Sequence, residues 1–393
     1  MTVATAIYPS GMQGEWAILG LLVNQGQETL GRIELLIRAY SDDDALLGQR
    51  PVLLEHVPFH PGDETAFRTT LTSTTPITAV EVDVVHVSLQ QENSSPMPID
   101  ISPVAVLQTE TGEFIATVQF TNQSDAELHL EDILFIARND DGTILAAGST
   151  CYGLHLLMPE VETYCAAVMP DLPADALVEV FLRPREVEPT ESPPLTFLVE
   201  PVLSFDSQGR PLLTSMLFNE GDLPRTVDIV FIAYEDGDPF ALAQASLPAP
   251  IPPGESRPLT IVDWLPLQED ANLTPATADS LQFTPYFDPI ASSAREHYPR
   301  PLAVSIETFE PIGSNLFVSG TLTNEWTTAL ENPSVLVALH STNGDLLVSA
   351  WEVVGKSIPL EGQLAFNLVI PLPAGIDPAM TEYHIAGYGL RPE

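Results

Sequence analysis

Positive charge is what this 393-residue chain most lacks: it has 14 basic against 54 acidic side chains, and Lys356 is its only lysine. A net charge near −40 repels phosphate backbones and anionic lipid surfaces, so nucleic acid and membrane surfaces are not expected partners. Long apolar runs are missing as well. The longest obvious one, Trp16 to Val23, falls far short of the roughly 20 residues of a membrane-spanning helix, so no membrane span is expected. Met1 leads straight into Thr2-Val3-Ala4-Thr5 without a basic region and apolar core, so no secretory signal peptide is visible. Catalytic signatures are scarce too: no Gly-x-Ser-x-Gly, Gly-x-x-x-x-Gly-Lys or His-Glu-x-x-His occurs. No catalytic residue, cofactor or metal site is expected, and the chain reads as non-enzymatic.

Proline, by contrast, is abundant. Its 37 residues are roughly twice the usual share and concentrate in turns and between repeats, which argues against long helices. The main positive feature is a fourfold strand pattern, an alternating apolar run closed by an asparagine. The closing residues are Asn24, Asn122, Asn219 and Asn324, separated by 98, 97 and 105 residues. A unit the size of an ordinary domain therefore recurs along the chain.

Reading back from each asparagine in steps of two gives one inward strand face. The sets are Trp16, Ile18, Gly20, Leu22; Phe114, Ala116, Val118, Phe120; Leu213, Ser215, Leu217; and Leu316, Val318, Gly320, Leu322. A second strand follows, with inward Leu35, Ile37, Ala39; Ile133, Phe135, Ala137; Ile229, Phe231, Ala233; and Val335, Val337, Leu339. Turns come next, around Asp42-Asp43, Asp140-Asp141-Gly142, Asp236-Gly237 and Asn343-Gly344. A further turn at Pro61-Gly62, Pro159-Glu160, Pro253-Gly254 and Leu360-Glu361 precedes another strand, and each copy ends on an apolar run. Short strands punctuated in this way predict an all-β chain of four tandem immunoglobulin-like β-sandwich domains in a linear array. The expected domains are 1–90, 103–183, 194–287 and 301–393, with Pro-, Ser- and charge-rich linkers at Gln91 to Ser102, Pro184 to Pro194 and Asp288 to Arg300.

In the fourth copy, Val318-Ser319-Gly320-Thr321-Leu322-Thr323-Asn324, Val335 to His340, Asn343-Gly344-Asp345-Leu346-Leu347 and Phe366-Asn367-Leu368 resemble the bacterial FxLYD group of immunoglobulin-like domains. The resemblance covers about one quarter of the chain well. At the position of that group's aromatic-acid pair stand Tyr40-Ser41, Arg138-Asn139, Tyr234-Glu235 and His340-Ser341, the second departing most. It implies tandem modules on secreted or envelope proteins, with no catalytic residues to carry over.

Candidate special residues are few. Cys151 and Cys165, the only cysteines, occupy positions that hold Leu53 and Phe67 in the first copy, on either side of a hairpin turn. They predict either a disulfide, worth about 3 kcal/mol in a chain-entropy account and pointing to an oxidising compartment, or two buried thiols filling core sites. His56 and His60 have a helical metal-ligand spacing but lie at a strand end beside Pro58 and Pro61, which favours a structural role. The acidic turns read as hairpin chemistry ahead of calcium ligands. Asn93, Asn122 and Asn272 match the glycosylation acceptor.

The second strand of each copy is also apolar on its outward face, at Leu36, Leu134, Ile136, Val230, Ile232 and Leu336. Two readings stand: a neighbouring strand crossing or adjacent domain covers this face, or it is a lateral docking surface for another copy or a partner. The expected function is that of an extracellular or cell-surface structural or adhesive protein, with protein partners. The alternatives are a subunit of a self-assembling filament or sheath, hence a homo-polymer, and a glycan- or peptide-binding accessory module of a larger secreted protein.

Overall fold

The computed structural model describes residues 2–9, 14–89, 99–109, 112–148, 152–153, 155–169, 172–173, 176–188, 191–269, 271–288, 292, 295 and 298–392. Among these the chain is all-β, in antiparallel sheets, with two single-turn 3₁₀ segments and no α-helix. It divides into two compact units, residues 1–189 and 190–393. Each unit holds two large apolar clusters, and each cluster is enclosed by two sheets in immunoglobulin-like sandwich fashion.

In the first sandwich, strands β1 (Thr2–Pro9), β2 (Glu15–Val23) and β5 (Glu64–Thr72) face β3 (Leu30–Tyr40), β4 (Leu46–Phe59) and β6 (Ala79–Leu89). The second pairs β7 (Ile99–Ile101), β8 (Ala105–Gln108), β9 (Phe114–Asn122), β12 (Tyr152–Gly153) and β14 (Glu162–Met169) against β10 (Leu128–Arg138), β11 (Ile144–Gly148), β13 (Leu156–Leu157) and β15 (Leu177–Glu186).

The third sandwich has β16 (Leu195–Phe205), β17 (Pro211–Asn219) and β20 (Ser256–Ile261) in one sheet. The other contains β18 (Arg225–Glu235), β19 (Asp238–Ile251), β21 (Leu265–Pro266) and β22 (Leu281–Phe287). In the fourth, β23 (Arg300–Ile312), β24 (Asn315–Thr323) and β28 (Gln363–Pro371) face β25 (Leu330–His340), β26 (Leu346–Val353), β27 (Ser357–Ile358) and β29 (Glu382–Leu390). Strand β23 changes sheets: Arg300–Leu302 pair with β29 and the remainder with β24.

The inward registers read from sequence form these cores. Ile18, Leu22, Leu35, Ile37 and Phe67 are at most 1% exposed in the first, and Phe120, Phe135 and Ala137 are fully buried in the second. Glycine serves cross-strand packing at two equivalent places. Gly20 lies opposite Phe67 and Gly320 opposite Phe366, and a Cβ on Gly20 would sit 2.2 Å from the Phe67 ring.

Three first strands differ from expectation. β7 lies inside the anticipated linker at 91–102, while β16 and β23 begin at its counterparts' ends with no inward pattern to announce them. β16 and β23 each have a single buried residue, so burial leaves little alternation on them. Within the anticipated spacer at 288–300, Ser292 is fully buried, donates from Oγ to the Asp228 carbonyl at 3.0 Å and accepts from the Asp228 amide at 3.0 Å.

Candidate docking faces

The four marker asparagines are structural latches. Each is at most 1% exposed. Asn24 Nδ2 donates to the carbonyls of Glu28 (2.9 Å) and Phe59 (2.8 Å), and its Oδ1 accepts from the Gly26 amide at 2.9 Å. The same three bonds recur for Asn122 with Ala126, Leu157 and Ser124, and for Asn219 with Leu223, Ile251 and Gly221. Asn324 repeats them with Thr328, Ile358 and Trp326. One side chain thus closes the loop after its own strand and ties it to a chain segment more than thirty residues further on. A buried amide with donor and acceptor both satisfied costs little, whereas an unsatisfied one is expensive, which accounts for asparagine at all four places. Asn122 is 0% exposed with both polar atoms engaged, so its acceptor triplet is closed to glycosylation in the folded chain.

The turn beside each latch has one geometry. Gly62 (φ +87°), Glu160 (+58°), Gly254 (+69°) and Glu361 (+55°) all take the left-handed conformation at the same place in the repeat. The amides of Gly62, Glu160 and Gly254 donate to the carbonyls of Asn24, Asn122 and Asn219 at 2.8 to 2.9 Å.

The remaining sequence candidates resolve individually. Cys165, on β14 opposite Val118, is fully buried and carries a disulfide. Its expected partner Cys151 lies outside the described residues, as does Asn93. His60 Nδ1 lies 3.0 Å from Thr29 Oγ1, while the side chain of His56 is outside the described residues. The acidic turns are hairpin turns. Asp141 accepts from the Thr143 hydroxyl at 2.7 Å and amide at 3.1 Å, and these bonds hold its carboxyl below its ordinary range. Asp236 and Gly237 are both left-handed (φ +52° and +94°), the two-residue hairpin geometry. Among the described residues no group of three or more His, Cys, Asp or Glu side chains is placed to hold a metal ion. None of their helices is long and apolar enough to cross a membrane.

The outward apolar faces have distinct fates. In the unit 1–189, Leu134 (3% exposed) and Ile136 (0%) of β10 pack with Ile144 against Leu21 and Ala66, which stand opposite each other on the outer face of β2 and β5. Polar contacts flank this seam: Arg138 Nη1 lies 2.8 Å from Glu64 Oε2, and Arg183 donates to the Leu53 carbonyl at 3.3 Å. Arg138 also meets Glu179 at 2.6 Å. Burial draws its pKa down, but Glu179 and Glu64 outweigh this and hold the guanidinium above its usual value.

In the unit 190–393, Leu336 and Ala338 of β25 are each 1% exposed, and β17, β19 and β20 of the third sandwich lie against the β25, β26 and β29 sheet. The Ser349 amide donates to Thr260 Oγ1 at 2.8 Å, and Trp351 Nε1 donates to the Pro258 carbonyl at 3.1 Å. Arg257 stacks over the Tyr388 ring at 4.8 Å from its centroid. Val230 and Ile232 are also buried, at 1% and 2%.

Leu36 alone is half-buried, among charges. Around it on β3 and β6, Arg32 pairs with Glu34 at 2.7 Å, Arg38 with Glu81 at 3.3 Å and with Asp83, and Tyr40 donates to Glu81 at 2.9 Å. Leu134, Ile136 and Leu336 are therefore taken up between sandwiches of one unit, the first of the two readings of the outward face. The receiving residues Leu21, Ala66, Pro258 and Thr260 were not singled out by sequence. Small, hydroxyl and single aliphatic side chains at outward positions carry no signal that separates a covered face from a wet one.

No family model matches the chain, and no curated protein does. Among solved structures, red sea bream transglutaminase is similar over 51% of this chain and 29% of its own, at 12% identity and a TM-score of 0.18. Native Escherichia coli alpha-2-macroglobulin is similar over 99% and 26%, at 9% identity and a TM-score of 0.15. Its form activated by porcine elastase gives 99% and 44%, at 13% identity and 0.14. The chain spans less than half the length of each. Similarities at these TM-scores carry no argument about activity, and the immunoglobulin-like β-sandwich fold rests on the strand pairing itself.

Proposed function

We propose that this chain is a non-enzymatic extracellular or cell-surface protein whose immunoglobulin-like modules, 1–90, 103–183, 194–287 and 301–393, act as a structural or adhesive spacer. The observation that carries this reading is the use of Leu134, Ile136 and the Leu336 strand to fasten one sandwich onto the preceding one. Such seams stiffen a string of small cores at the cost of surface that a ligand pocket would need. The disulfide at Cys165 and the high acidity agree with an oxidising exterior location and with solubility by self-repulsion. The FxLYD resemblance of the fourth repeat points the same way. A filament built on these apolar faces is less favoured, because the faces are already occupied within each unit.

Protease treatment of intact cells that produce the protein natively tests the location. Digestion of the chain under conditions that spare a cytosolic marker is expected. Complete protection until the cells are lysed would contradict an exterior role.

A further inference from the structure

The seam in each unit uses the same register positions. Leu21 and Met216 both stand three residues before their latch asparagine, and their cross-strand partners are Ala66 and Pro258. One cross-strand step further along, Thr214 stands opposite Thr260, the residue that accepts from Ser349. Covered in this way, Leu21, Ala66 and Thr214 are only 4%, 3% and 5% exposed.

The fourth sandwich carries the same face on β24 and β28, where Thr321 stands opposite Ala365, Ser319 opposite Asn367 and Phe317 opposite Val369. Among the described residues its β28 side is open: Ala365 and Asn367 are exposed and Val369 is 50% exposed, while Phe317, Ser319 and Thr321 on β24 are half-buried. None of these six residues is charged, in a chain with 54 acids. Two acids flank it on β23: Glu307, which accepts from Thr321 at 3.2 Å, and Glu310, which stands opposite Phe317.

We infer that this β24/β28 face is a docking surface for a further β-sandwich of a partner protein, one whose central strand presents outward aliphatic side chains as Leu134 and Ile136 do. The occupant follows from continuity with the seam used twice in this chain. A second copy docking through its own first sandwich is disfavoured, because there the corresponding strand presents Arg32, Glu34, Arg38 and the paired Glu81 and Asp83. Seating those ion pairs on an uncharged face would strip them of water without new partners. This inference rests on the seam geometry and not on the location proposed above.

The probe is the full chain extended after Glu393 by a second copy of residues 288–393, which brings an apolar donor strand within reach. Val369→Cys, introduced in the first copy only, is alkylated without reductant so that native disulfides stay silent. In the unextended 393-residue chain the thiol is expected to react as an exposed one. In the extended chain its rate is expected to fall at least tenfold, and Leu336→Asp in the appended copy is expected to restore it.

An unchanged rate in the extended chain, with the appended copy shown to be folded by its resistance to proteolysis, would overturn the inference. Protection that grows with concentration in the unextended chain would also overturn it, since the occupant would then be a second copy.

Discussion

Asn219 Nδ2 and the carbonyl oxygen of Ile251, thirty-two residues apart, are joined by a 2.7 Å hydrogen bond inside the third sandwich. The same side chain holds the Leu223 carbonyl and the Gly221 amide, so it secures the end of β17, the loop after it and the end of β19 together. Asn219→Ala would remove the partner of two carbonyls and one amide, of which the Ile251 carbonyl lies in a buried site. A loss of about 3 kcal/mol is expected, read as a lower denaturant midpoint with an unchanged slope. A change below a few tenths of a kcal/mol would mean that water replaces the latch.

Glu361 holds a left-handed backbone conformation where the first and third repeats have Gly62 and Gly254. An L-residue there costs about 1 kcal/mol, part of which glycine returns through its freer unfolded chain. Glu361→Gly is expected to stabilise the protein by about 0.5 kcal/mol in denaturant titration, whereas the same change at Glu382, within β29, is expected to destabilise it.

Asp206 caps the turn between β16 and β17, accepting from the amides of Gln208 (2.8 Å) and Arg210 (2.9 Å) and from Arg210 Nε (2.7 Å). Burial pushes its carboxyl up, but the Arg210 and Gln208 bonds prevail and hold it below the ordinary aspartate range. A folded-state pKa that is depressed stabilises above the unfolded value and loses that contribution as pH falls through the folded one. Asp206→Asn is therefore expected to cost about 2 kcal/mol near neutrality. The gap between the two proteins should narrow and close as pH falls through the depressed folded-state pKa of Asp206, where the native carboxyl is protonated as well. A difference independent of pH would assign the loss to packing alone.

Cys165 takes the place that Phe67 holds in the first repeat: it stands opposite Val118 as Phe67 stands opposite Gly20, each partner four residues before its latch asparagine. Alkylation of the denatured chain without reductant, read by intact mass, is expected to add no label, and to add two after reduction. Labelling of both cysteines before reduction would remove the link to an oxidising compartment.

Much of this architecture is legible in the residues. Period-two runs ending in asparagine fix β2, β9, β17 and β24, and the aliphatic triplets that follow fix β3, β10, β18 and β25, because burial on one face imposes alternation. The seams are only half legible. Leu134 and Ile136 declare themselves as apolar residues with no reason to face water, but Thr260 and Ala66 do not, since such residues serve equally well on a wet surface. The first strands β16 and β23 escape for the converse reason: they pair along an edge and bury little.

The docked pair of sandwiches in residues 1–189 is the claim on which the account turns, and Ile136→Asp, examined by differential scanning calorimetry at neutral pH, tests it most directly. Ile136 points away from the core of its own sandwich and into the Leu21–Ala66 face, so a carboxylate there must be buried unpaired or the two sandwiches must part. The account predicts destabilisation of about 4 kcal/mol in this unit, with its transition broadening or splitting as the two sandwiches melt apart. A thermogram indistinguishable from that of the parent chain would mean that Ile136 faces solvent, and would contradict it.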